Sequence, residues 1–243
     1  MKTRKHRRHE GFTLVELLVV ILIIAALVGL SMIGMSRMRA AGDRAAAVSV
    51  MRQLAIANTS YSVDHNGQYV PIVSKDENNN LAMEWYRDPE FRAYLTGDSG
   101  EADKSSAELL VAPEGILDPL VVRAKQRQWD RLSASYGFNS TGLSWPATSL
   151  SPPMSYKASQ VANPSRTAFI ASGTNYMVSY AGRLLWQTQP VEGKTTNDKM
   201  AFRHGKKSII IYYDGSSGLM SLEEIKAIDK KGGVAHPFWK ATL

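Results

Sequence analysis

The sequence predicts an α+β protein in which one long N-terminal α-helix, half of it apolar enough for lipid, packs on a C-terminal head built around an antiparallel β-sheet. Three observations lead there. From Phe12 to Ser36 run 25 residues with a single charge, Glu16, enough at about 1.5 Å per residue to cross a hydrocarbon core of roughly 30 Å. The stretch that follows, MSRMRAAGDRAAAVSVMRQLAIANTSY, is alanine-rich and free of proline, and carries the same helix on to about Tyr61. Beyond it, SRTAFIAS, YMVSY, RLLWQ and KSIIIYY are short runs of β-favouring residues separated by turn signals.

The first eleven residues hold Lys2, Arg4, Lys5, Arg7 and Arg8, a flank that keeps the N-terminus cytoplasmic and sends everything after about Arg37 outward. They also explain the charge, because the formal +7 falls to +3 once these five and Glu10 are set aside. The pI near 9.5 is therefore mostly a topogenic flank, and no nucleic-acid partner is expected. Glu16 is the anomaly. A carboxylate near the middle of a membrane helix costs on the order of 2.5 to 3.5 kcal/mol, less near an end, and calls for a partner charge. A secretory signal would have a shorter apolar core, of about 7 to 15 residues, with a small-residue cleavage site after it. A plain single-pass anchor explains the length and the flank, but gives no reason for the carboxylate.

The pair Gly11 and Phe12, behind a basic leader and followed by Thr13, Leu14, Val15 and Glu16, resembles the processing site of type IV prepilins and type II secretion pseudopilins. The resemblance implies a pilin-like fold and a cut between Gly11 and Phe12 by a membrane peptidase. It also implies N-methylation of the new Phe12 amine, and a Glu16 that meets the amine of a neighbouring subunit during assembly. It divides the chain into a leader at 1–11, a transmembrane and assembly helix at 12–36, its soluble continuation at 37–62 and an extracytoplasmic head at 63–243. No cysteine occurs, so the C-terminal disulfide loop of many type IVa pilins cannot form and the head must rest on its apolar core.

Along the soluble continuation, Ala47, Val50, Met51, Leu54 and Tyr61 recur at helical spacing and form a stripe that should dock on the head, with Arg37, Arg39, Asp43, Arg44 and Arg52 largely off it. Gly29, Gly34 and Gly42 interrupt good helix at about 1 kcal/mol each. They suit either bending on assembly or close packing between membrane helices. In the head, DHNGQYVPIVSKDENNN is expected to end the helix and open an exposed loop. EWYRDPEFRAYL and PLVVRAKQRQWDRLSA read as short amphipathic helices, and STGLSWPATSLSPP as a loop.

A second resemblance lies near the C-terminus, where His204, nine intervening residues, Asp214 and Gly215 match the H-x9-D-G signature of a family of prepilin-processing-associated proteins. SYGFN (135–139) and NPSRTAFIAS (163–172) follow that family's order, with Ala112 where a cysteine is usual. Physically the segment reads as a hairpin in which KSIIIYY is a strand, DGSSG the turn and GLMSL the return. Ser221 with Glu224 then forms a capping box for a helix over EEIKAID. About 33 Å of extended strand separates His204 from Asp214, so an Asx-type turn at Asp214 and a hydrogen bond from His204 to a neighbouring loop are expected, with no metal or cofactor.

No catalytic constellation stands out: there is no G-x-S-x-G, H-E-x-x-H or P-loop, and His65 and His236 are isolated. The five tryptophans, Trp85, Trp129, Trp145, Trp186 and Trp239, read as packing residues, with a sugar platform as the alternative. The reading is a minor structural subunit of a type II secretion pseudopilus or type IV pilus-like filament, and not an enzyme. Its partners would be the prepilin peptidase and methyltransferase, other pilin or pseudopilin subunits and the assembly machinery of the inner membrane. The rival is a membrane-tethered protein that uses the anchor for export only, its head recognising surface polysaccharide or catalysing a reaction.

Overall fold

A computed structural model describes residues 12–75, 81–96, 114–123, 134–146, 151–182 and 200–242. The leader with Gly11, the run RLLWQ, Trp129 and Trp186 lie outside the described residues. The chain divides into two compact units, Met1–Gly42 and Asp43–Leu243. Helix α1, Leu14–Asp64, is continuous in sequence through both.

In the first unit α1 is helical through Gly29 and Gly34, and its apolar side chains lie open, with Leu14 at 80%, Leu22 at 65% and Leu30 at 69% exposure. Such a surface is costly in water and suited to lipid or to other helices. This is one helix long and apolar enough to cross a membrane.

In the second unit the remainder of α1 buries the stripe that the spacing predicts: Ala47, Val50, Met51, Leu54 and Tyr61 are all buried, and Arg44 and Arg52 are exposed. Each large apolar side chain so buried contributes about 1.5 to 3 kcal/mol. A two-stranded ladder follows, β1 (Val73–Lys75) antiparallel to β2 (Leu81–Glu84), then α2 (Pro89–Thr96) and the short α3 (Pro119–Arg123). The main sheet contains β3 (Tyr136–Asn139), β4 (Ala168–Ser172), β5 (Met177–Val178), β6 (Lys207–Tyr212) and β7 (Ser217–Ser221), in the order β5-β3-β4-β6-β7. Helix α4 (Leu222–Gly232) comes last.

The sheet is mixed rather than purely antiparallel, since β5 runs parallel to β3. Its physical cause is a short hop. Strand β4 runs antiparallel to β3, and only Gly173 to Tyr176 carry the chain past the start of β3 to its far side. That hop leaves no room for side chains at the crossing. A Cβ on Gly137 would lie 2.8 Å from the backbone of Asn175 and Met177, and one on Gly173 would lie 2.9 Å from Asn175 O and Gly137 N.

Both faces of the sheet are covered. Tyr136, Phe138, Ile209, Ile211 and Leu219 join the α1 stripe in one core, while Ile210 and Met220, one residue out of phase, join Ile225, Phe238 and Trp239 in the other. A bulge between Ala168 and Ile170 turns both Phe169 and Ile170 into the first core. The hairpin β6–β7 and the Ser221–Glu224 capping box form where the sequence puts them.

One expectation is corrected. The segment after α1 is not an exposed loop: Tyr69, Val70, Ile72 and Val73 are buried. Val70 N donates to Asn58 Oδ1, and Tyr69 N and Ile72 N donate to the carbonyls of Tyr156 and Met154. The apolar YVPIV therefore outweighs the turn residues around it. In PLVVRAKQRQWDRLSA, Pro119–Arg123 forms the expected helix, and residues 124–133 lie outside the described residues.

Candidate functional site

Two places gather the residues that the sequence singles out. The first is the start of α1. Thr13 stands at its N-cap, and the Glu16 carboxylate folds back on it: Oε2 accepts from Thr13 N at 2.9 Å and from Thr13 Oγ1 at 2.7 Å, while Glu16 N donates to Thr13 Oγ1 at 3.2 Å. This is a capping box, T-L-V-E, which satisfies backbone donors that a helix start otherwise leaves orphaned. Sequence reasoning used the same signature at Ser221 and passed over it here. The one carboxylate in the apolar run is thus hydrogen-bonded at the first turn, four residues from Phe12 in sequence and bonded to its neighbour Thr13.

The second place is a buried polar cluster around His204. The turn Arg203 to Lys206 leads into β6, with Gly205 at φ 65° and Lys206 at φ 61°. His204 Nε2 lies 2.9 Å from Asp118 Oδ2, and both side chains are buried. Asp118 works twice, because its Oδ1 accepts from Leu120 N at 2.9 Å and so caps α3. Arg203 has a nitrogen 3.9 Å from the same carboxylate and donates to the carbonyls of Ala134, Ser135 and Gly173. The Tyr136 hydroxyl lies in the field of both charges, and burial followed by Asp118 pushes its pKa well up.

Asp214, at the other end of β6, has a different task. Its Oδ1 accepts from Ser216 N at 2.9 Å and Ser216 Oγ at 2.6 Å, which is an Asx turn, and Gly215 takes φ 81°. The structure therefore brings His204 to Asp118 and leaves Asp214 and Gly215 in the hairpin turn. Asp118 was missed. Its partner is 86 residues away, and nothing local to it signals more than a helix cap before Pro119.

The remaining singled-out residues separate. Trp85 and Trp239 are fully buried, with Trp85 Nε1 donating to Tyr176 O at 2.6 Å and Trp239 Nε1 to Asp229 Oδ1 at 3.3 Å, so neither offers a sugar platform. Trp145 is half exposed. No group of three metal-ligating side chains occurs among the described residues.

A protein-family signature, the prokaryotic N-terminal methylation motif, matches residues 6–32. No curated protein and no solved structure matches the chain. The matched stretch contains Phe12, the capping box and the apolar part of α1. The motif, with the apolar helix that carries it, supports a pilin-like or pseudopilin-like subunit, and it implies processing by a prepilin peptidase and assembly with other pilins.

Proposed function

We propose that the chain is a minor structural subunit of a type II secretion pseudopilus or type IV pilus-like filament. It is cut between Gly11 and Phe12, N-methylated at Phe12, and held in the inner membrane with its N-terminus cytoplasmic and its head outside until it polymerises. The methylation motif at residues 6–32 carries this reading, because that stretch contains Gly11, Phe12 and Glu16 where an otherwise apolar helix begins. In the membrane the Glu16 carboxylate is satisfied by Thr13. In the filament it exchanges that local bond for the amine of a neighbour, an opposite full charge that offsets the cost of a carboxylate in an apolar bundle.

The head's size favours a minor or tip-associated place, since bulky heads crowd a helical array. The H-x9-D-G resemblance groups it with prepilin-processing-associated proteins. His204 and Asp214 serve the head's architecture in this reading, and the protein acts by assembling rather than by catalysis. Replacing Gly11 by a bulky residue tests it. The uncut precursor should accumulate in the membrane fraction and be missing from sheared filaments. A variant that still matures and assembles would contradict the assignment.

A further inference from the structure

His65 follows the last residue of α1, and both of its ring nitrogens face acceptors. Nδ1 lies 2.8 Å from the carbonyl oxygen of Tyr61, and Nε2 lies 3.2 Å from Glu90 Oε1 in the first turn of α2. The ring is parallel to that of Tyr61, with centroids 3.7 Å apart and planes within 1°. A neutral imidazole carries one N–H and one lone pair, so it can satisfy only one of these acceptors and must turn its lone pair on the other. An imidazolium satisfies both.

The surroundings carry the same sign. The titratable groups around the ring are Tyr61, stacked on it, Glu90, and Asp88, which caps α2 through hydrogen bonds from Glu90 N and Phe91 N; Tyr94, edge-on to Tyr61, donates to Asp64 at the end of α1. Glu90 and Asp88 are carboxylates beside the ring, and the ring is the cation between them when both of its nitrogens carry hydrogen. A cation at this position also sits at the negative end of the α1 dipole. Beneath it, Phe91 and Tyr94 of α2 pack edge-on against Tyr61. The His65–Glu90 contact therefore closes the outer rim of the α1–α2 junction.

We propose that His65 is a proton-operated clamp: doubly protonated, it bridges the end of α1 to α2, and on losing one proton it releases that bridge. The sign follows from the geometry. Only the imidazolium can donate to both acceptors at once, so the bridge is complete with both nitrogens protonated and loses one of its two bonds when a proton leaves. The extracytoplasmic face of a membrane follows the pH of its surroundings, so the clamp would make the attachment of α2 responsive to acidity outside the cell.

Hydrogen exchange of residues 89–96 in the full-length chain in detergent micelles, at about pH 5.5 and about pH 8 and corrected for intrinsic rates, tests this. For a half-exposed bridge of this kind the expected loss of protection at the higher pH is about two- to fivefold. His65→Gln, which keeps a polar side chain without a titration, should abolish the difference. Glu90→Gln, altering the exposed partner alone, should reduce it and so guards against a fold-wide effect of the His65 change. The proposal is overturned if α2 protection in the wild type is flat or rises with pH, or if either variant keeps the full wild-type dependence.

Discussion

Glu16 is bonded to Thr13 in the structure and is proposed to meet a neighbour's amine in the filament, and substitutions can tell the two roles apart. Glutamine at an N3 position can still complete a capping box, whereas alanine cannot. Glu16→Gln should therefore insert and keep the first turn of α1, yet join filaments poorly because the charge is gone; Glu16→Ala should lose both cap and assembly. Filament yield in sheared fractions checks this, and a Gln variant that assembles at the wild-type rate would remove the charge pairing from the account. Two glycines separate backbone freedom from space. Gly215, with φ 81° and nothing near its absent Cβ, should lose about 1 kcal/mol or more as Val, through strain alone. Gly137, whose Cβ would strike backbone at 2.8 Å, should cost about 1 to 3 kcal/mol as Ala. Denaturation midpoints of the full chain in detergent should show a larger loss per added atom for Gly137→Ala. The Gly215 turn was legible in the sequence because D-G announces itself. Gly137 was not, because its neighbour is a backbone hop that only the topology creates.

Among the elements, those with a local signal were read correctly and those that depend on a distant partner were not. The α1 stripe, the β6–β7 hairpin and the start of α4 each rest on residues three, four or ten apart in sequence. Parallel pairing of β5 with β3, the bulge in β4 and the burial of YVPIV depend on what lies across the sheet or beyond the end of the helix. The start of α4 makes a specific prediction. Hydrogen bonds from the Ser221 backbone, then from its hydroxyl, hold the Glu224 carboxyl below its usual range. Its contribution to the cap is therefore complete at neutral pH and is lost as pH falls through that lowered range. Amides 222–225 should exchange faster, by about two- to fivefold once corrected for intrinsic rates, when Glu224 is protonated. Glu224→Gln should cap at every pH and show no such step. Protection that instead increases on acidification would mean the cap is not what holds this turn.

At the scale of the whole molecule, a chain without cysteine fastens its C-terminal end by other means. Asn139 Nδ2 donates to the carbonyls of Ala168 and Trp239 at 2.9 and 2.8 Å, Ala168 N donates to Phe238 O, and Ala162 N donates to Ala241 O. The C-terminal segment is thus tied to the end of β3 and the start of β4, and it covers the second core with Phe238 and Trp239. Asp118 ties the turn before β6 to α3, whose Arg123 in turn pairs with Asp43 of α1. The absence of disulfides was readable from the sequence, but their replacements were not, because a buried asparagine or aspartate looks like any turn residue until its partners are known. The central claim remains the N-terminus, and intact-mass analysis of the protein extracted from membranes of cells that contain the prepilin peptidase tests it most directly. The account predicts a chain that begins at Phe12 and carries one added methyl group. A mature N-terminus at any other residue, or a chain that keeps residues 1–11 in such cells, would contradict it.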